Sequence, residues 1–212
     1  MSLFISNLIT LTVSLFAVMG SLSGGAIMLS LLDESHQNKK NIHRIASKNT
    51  LAVLIGSLAV MFIGDYILSF LGISVEAIKV AGGFVLFLMS MNMVQGANQK
   101  SINHSQEEHK HNEMREDIAV VPLAFPILIG PGVIAALISL KTSAKDFETL
   151  LSLVLAILIC SFLNFLILRN MLYIQRVLGE NGMRIFGRVM GLLVAAIGAQ
   201  MLIKGVKAIW LM

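Results

Sequence analysis

The sequence predicts an all-α, polytopic membrane protein with six transmembrane helices in a 3+3 inverted repeat, helices 1 and 4 being broken. Three observations predict it. Hydrophobic residues make up 56% and charged residues 13% of the 212 residues, against about 45–50% and about 25% in soluble domains. With a mean hydropathy of +0.82, the chain has too little polar surface to cover a soluble globule. Apolar runs of membrane-crossing length recur along it, and its two halves resemble each other at a nearly constant offset.

A bilayer core about 30 Å thick needs roughly 20 apolar residues per helix. Such runs lie at about 5–31, 50–71, 77–96, 118–140, 149–168 and 185–211. They are continuous rather than alternating, which argues against a membrane barrel. Without water to satisfy backbone groups, a helical bundle is the remaining solution. The whole chain, 1–212, reads as one membrane domain: repeat 1 over about 1–97, a polar cytoplasmic linker over about 98–117, and repeat 2 over about 118–212. The first residues lack a basic segment and a small-residue cleavage site, so no removable signal peptide is expected.

Lys and Arg set the expected orientation. The connections after spans 1, 3 and 5 carry Lys39, Lys40, Arg44, Lys48, Lys100, Lys110, Arg115, Arg169, Arg176, Arg184 and Arg188. Lys79, Lys141, Lys145, Lys204 and Lys207 fall on the other side. By the positive-inside rule the first set is cytoplasmic and both termini face outward. Because these charges flank apolar runs, the net charge of +4 points to membrane orientation rather than to nucleic acid.

The repeat is visible in two alignments. Lys79, Val80, Gly82, Val85, Val94 and Gly96 fall opposite Arg188, Val189, Gly191, Val194, Ile203 and Gly205. Leu15, Gly24, Leu29 and Leu32 fall opposite Leu123, Gly132, Leu137 and Leu140. Three spans per unit is an odd number, so the second unit enters the membrane inverted, a recurring plan of secondary transporters.

Candidate functional residues follow from the interruptions. All three prolines, Pro122, Pro126 and Pro131, fall in span 4, with Gly130 and Gly132 beside the last. Each proline removes a helical donor and clashes with the carbonyl four residues back. The matching stretch of span 1 holds Gly20, Ser21, Ser23, Gly24 and Gly25. Paired broken segments at corresponding positions point to a transporter's binding site, although kinks also serve packing alone. Asp65 in span 2 is a carboxylate at membrane depth, read either as a functional group, a proton carrier or polar gate, or as a hydrated residue near the interface. Asn92, Asn164 and Gln200 read as interhelical hydrogen-bond partners. Gly82 and Gly83, and the series Gly187, Gly191, Gly198 and Gly205, read as smooth faces for close helix packing.

Other classes find little support. One cysteine, Cys160, excludes a disulfide framework and multi-cysteine metal sites. His104, His109 and His111 beside Glu107, Glu108 and Glu113 could ligate a divalent ion, yet a polar linker fixes no geometry for them, and no metal or cofactor is expected. HExxH, GxSxG and GxxxxGK[ST] patterns are missing. The pair Gly64-Asp65 is reminiscent of an intramembrane aspartyl protease, but that chemistry needs two carboxylates sharing a proton.

The sequence resembles the MarC family of bacterial inner-membrane proteins over essentially its whole length. The resemblance is carried by Leu71-Gly72-Ile73-Ser74 with Lys79-Val80-Ala81-Gly82-Gly83, by Pro122-Leu123-Ala124-Phe125-Pro126 with Gly130-Pro131-Gly132, and by Arg188-Val189-Met190-Gly191-Leu192-Leu193. It implies six spans and grouping with LysE-type amino-acid exporters. One departure stands out. Members carry a stretch resembling Phe-Ala-x-x-Asn-Pro-x-Gly in span 1, whereas here Phe16-Ala17-Val18-Met19 runs into Gly20-Ser21, with Ser23 at the family's glycine. The expected function is a secondary transporter or exporter of a small solute without enzymatic activity. The alternative is a non-transporting scaffold or assembly protein. The lipid bilayer is the expected partner, nucleic acid is not, and self-association is left open.

Overall fold

The computed structural model describes residues 2–32, 38–95, 119–121, 123–144 and 146–211. The linker over 98–117 with its histidines, as well as Pro122 and Lys145, lies outside the described residues. The elements in order are α1 (Ser2–Met19), α2 (Ser21–Leu31), α3 (Lys39–Phe70), α4 (Val75–Gln95), a π-helical stretch (Leu123–Leu128), α5 (Pro131–Ser143), α6 (Phe147–Arg169) and α7 (Met171–Trp210). Among the described residues the chain is all-α, with five spans long and apolar enough to cross a membrane, α1 and α2 together forming the first, and one shorter apolar helix, α5.

Several boundaries differ from the sequence reading. The second span starts at Lys39 rather than near residue 50. Asn38 caps it, its side chain accepting from the Lys40 and Asn41 N–H groups, so Lys39, Lys40, Arg44 and Lys48 sit on helical turns. The last helix begins at Met171 rather than near 185 and bends at Gly179. Helices α3 and α4 are joined by a tight turn in which Gly72 takes φ 68°. There Ile73 N–H donates to Leu68 O and Gly72 N–H to Ser69 O, the paired bonds of a glycine-terminated helix end. Ser74 Oγ then accepts from Ala77 N–H to start α4.

Span 4 is not one helix. The residue before a proline is sterically driven out of the α region toward extended angles. Phe125, before Pro126, has φ −123° and ψ 127°, and Gly130, before Pro131, has φ −82° and ψ 175°. Pro131 then occupies the first turn of α5, where a missing N–H costs nothing.

Helix α4 lies along α7; α6 packs on α1 and α3; and α5 packs on α4 and α3. The principal contacts have the symmetry that exchanging the two halves requires. Span 1 meets span 5 as span 4 meets span 2, span 1 meets span 6 as span 4 meets span 3, and spans 3 and 6, 2 and 5, and 1 and 4 meet each other. Packing also gathers the charges. His43 stacks edge-on against Phe165, which brings the basic start of α3 to the Arg169 end of α6. At the other end Asp65 pairs with Lys141, and Gly205 packs on Glu76 and Val80, near Lys79, Lys204 and Lys207. Large apolar side chains, among them Ile9, Ile55, Phe62, Phe84, Phe162 and Ile203, remain exposed. A water-soluble surface would not carry such a belt; lipid covers it.

Candidate functional site: the span 1 break

The break in span 1 rests on one residue. Gly20 adopts φ 59° and ψ 38°, a left-handed conformation that costs residues with a Cβ roughly 1–2 kcal/mol. It ends α1 and starts α2, and its carbonyl accepts from Gly24 N–H. The first N–H groups of α2, on Ser21, Leu22 and Ser23, have no acceptor within their own helix, and no side chain caps them. Ser21 is 1% exposed, and its Oγ has no hydrogen-bond partner. Such a buried hydroxyl costs about 1–3 kcal/mol.

Beside this break lies a cleft of about 30 Å³. Span 1 contributes Phe16, Ala17, Gly20, Ser21, Leu22 and Ser23; α4 contributes Met93; α7 contributes Met183, Phe186, Gly187 and Met190. Of the residues singled out in the sequence, Gly20, Ser21, Ser23 and Gly187 line it. The others fall elsewhere. Gly24 faces span 4, where a Cβ would come 2.9 Å from Leu128 Cδ2. The two breaks therefore do meet, but through apolar side chains. Gly130 is buried beside Ile129 and Val133, and Gly132 packs on Leu86. Neither these residues nor Pro131 line the cleft, and the side chain of Pro126 lies outside what the structure describes. Asp65 is also outside it: its carboxylate accepts from Lys141 Nζ and, at 3.4 Å, from Thr142 Oγ1. Both members of the ion pair are about a quarter exposed.

The glycines divide likewise. A Cβ on Gly83 would stand 2.6 Å from Gly198 O, one on Gly198 2.8 Å from Gly83 O, one on Gly191 3.0 Å from Met93 Cβ, and one on Gly205 2.7 Å from Val80. These four hold α4 against α7, while Gly82 abuts Ala135 of α5. Gly187 differs from the packing role expected of it. Among the described residues nothing lies within 4 Å of its Cβ position.

One polar network was only half legible. Asn164 Nδ2 donates to Asn49 Oδ1 at 3.0 Å, and Asn49 Nδ2 donates to Ala119 O at 2.9 Å. This chain ties α6 to α3 and to the entry of span 4. The sequence pattern hides Asn49, because the first turns of α3 are too polar to extend the apolar run; Asn38, a preferred helix cap, is the signal that marks them. Asn92 and Gln200, by contrast, are exposed.

The family model for the MarC family integral membrane protein matches residues 5–210. The chain belongs to the MarC family. Among its relatives it is 34% identical to a "UPF0056 membrane protein" of Aquifex aeolicus, over 92% of this chain and 89% of that protein. It is 28% identical to the UPF0056 membrane protein YhcE of Escherichia coli, over 93% and 91%, and 29% identical to YvbG of Bacillus subtilis, over 97% and 96%. No solved structure matches it. In this MarC-family chain Gly20 and Ser21 stand where the resemblance calls for Asn-Pro. A proline would enforce a break through its missing N–H; here the left-handed glycine makes it.

Proposed function

We propose that this MarC-family protein is a secondary transporter of a small solute, placed in the bacterial inner membrane with both termini periplasmic. The observation that carries the reading is the Gly20 break. It brings Ser21, whose buried hydroxyl has no hydrogen-bond partner, to a cleft between span 1 and α7, at a helix start that no side chain caps. Unsatisfied polar groups are expensive at membrane depth, so keeping them beside a cleft makes sense if a solute takes up their hydrogen bonds. The half-and-half contact pattern adds support, since inverted repeats that rock about a shared site are a common basis of alternating access. The distribution of Lys and Arg supports the orientation. In this reading Asp65 and Lys141 form a latch between α3 and α5 rather than a proton carrier, and no catalysis, cofactor or metal is assigned.

The second reading, a scaffold without transport, is favoured by the apolar junction between the two breaks and the small size of the cleft. Untargeted metabolite profiling separates the two, comparing cells with the protein, without it, and with Gly187→Leu. Transport predicts a solute whose distribution changes with the protein and reverts in Gly187→Leu; a scaffold predicts no difference between Gly187→Leu and the parent.

A further inference from the structure

We propose that the first turns of α7, residues 171–178, lie in the membrane interface and, with Arg169 and the basic start of α3, bind the headgroups of anionic phospholipids, whether or not the protein transports. The segment is set apart at both ends. Asn170, with φ −101° and ψ 13°, ends α6, and Gly179, with φ 62° and ψ −179°, interrupts α7. Between them the helical spacing makes three faces. Met171 is buried against Gly25, where a Cβ would stand 2.7 Å from Met171 Sδ, and half-buried Ile174 packs against the same core. Tyr173 and Val177, four residues apart and so on one face, are 69% and 64% exposed. Gln175 and Arg176 are exposed on a third side. A helix with one packed, one exposed apolar and one polar side fits the boundary between hydrocarbon and water, where tyrosine is enriched.

Helix lengths put the segment at that boundary. The 23 residues of α6 span about 34 Å at helical rise, close to a hydrocarbon core of about 30 Å, so Arg169 stands at its edge. The 32 residues of α3 span about 48 Å, so its first turns, with Lys39 and Lys40, project past the same edge. The Phe165 ring joins the two helix ends. The Arg169 guanidinium lies over it with Cζ 5.9 Å from the ring centre, and His43 meets it edge-on at 5.6 Å. A stacked guanidinium keeps its in-plane N–H donors for a phosphate. Among the described residues Lys39, Lys40, Arg169 and Arg176 have no carboxylate partner. From 169 to 188 the arginines at 169, 176, 184 and 188 stand against a single acid, Glu180. Exposed cations beside an exposed apolar face match a lipid, whose phosphate meets the first and whose chains cover the second; a free phosphate would use the cations alone.

The test uses the full-length protein with Val177→Cys in a Cys160→Ala background, labelled with bimane. It is reconstituted in vesicles of phosphatidylcholine and phosphatidylglycerol, one or the other lipid carrying quenching bromines on its chains. Phe147→Cys in the same background, exposed at the far end of α6 beside Asp146 and Glu148, is the reference site. Brominated lipid is expected to quench the label at 177, with phosphatidylglycerol preferred over phosphatidylcholine there and not at 147. Each basic group near an anionic surface changes lipid partition roughly fivefold. Arg176→Gln is therefore expected to lower the preference about fivefold, Arg169→Gln with Arg176→Gln to lower it further, and Arg176→Lys to keep most of it. Quenching at 147 should stay unchanged in all three, which shows that the fold is intact. Excess inorganic phosphate should leave the preference as it is. No quenching at 177, as when water or a partner protein covers the segment, overturns the interfacial placement. Equal preference at 177 and 147, a preference indifferent to both Arg→Gln changes, or one abolished by inorganic phosphate overturns the anionic-lipid site.

Discussion

Replacing Gly83 by alanine tests the packing that holds the two halves together. The new Cβ would lie 2.6 Å from Gly198 O and 2.8 Å from Leu202 N. Both are backbone atoms, so no rotamer change relieves the overlap. Restoring ordinary contact at about 3.5 Å requires α4 and α7 to part by roughly 0.9 Å, and a gap of that size forfeits a quarter to a half of each dispersion contact along the seam. Without a hydrophobic drive between helices in lipid, those contacts are the main source of association. Overpacking of this kind costs about 1–3 kcal/mol, against a gain of about 0.5–1 kcal/mol from replacing a helical glycine. Gly187→Ala is the matched control, since it gains the same helix preference and meets none of the described residues within 4 Å. Thermal unfolding of the purified proteins in one detergent, followed by circular dichroism, should place Gly83→Ala below the parent and Gly187→Ala level with it or above. Equal melting of the two variants would refute the close approach of α4 and α7 at Gly83.

Three further outcomes are expected. Gly20→Val should destabilise by about 1–2 kcal/mol through the left-handed φ alone, and Gly20→Asn by less, because asparagine tolerates that conformation better; comparison of their melts checks this. Asn49→Leu should cost more than Asn164→Leu, since Asn49 is bonded on both sides. Interhelical bonds in membranes average about 0.6 kcal/mol with a maximum near 1.7, and a denaturant titration of both variants resolves the order. Asp65→Asn should cost no more than about 1 kcal/mol because the pair is partly exposed and screened, and the exchange Asp65→Lys with Lys141→Asp should recover part of it; no recovery in a double-mutant cycle would deny the pairing.

The membrane class and most spans were legible because lipid imposes a simple demand: long apolar runs whose backbone bonds close internally. Spans 3 and 5 begin and end within about two residues of their expected limits. The start of α3 was hidden because its first turns, Lys39 to Lys48, carry charge where an apolar run was sought, and only the cap at Asn38 marked it. The span 4 break was legible in its prolines, but its form was set by Phe125 and Gly130, the residues before two of them. The cleft was half legible. Gly20 and Ser21 were visible as an interruption, whereas Met93 and Met183 read as ordinary apolar residues until α4 and α7 were brought beside span 1. Gly187 followed the spacing of a packing face but meets no described residue within 4 Å of its Cβ position. The Asp65–Lys141 pair joins positions too far apart in sequence for any local pattern to link them.

The transport reading requires the cleft beside the Gly20 break and α7 to admit water-soluble molecules. It is tested most directly by thiol accessibility in native membrane vesicles, using Ser23→Cys in a Cys160→Ala background. Ser57→Cys, at a fully buried position outside the cleft, serves as the baseline. A small water-soluble methanethiosulfonate is expected to modify the cysteine at 23 and leave the one at 57 inert, and adding Gly187→Leu is expected to suppress the reaction at 23. An inert cysteine at 23, or a reaction rate indifferent to Gly187→Leu, would contradict it.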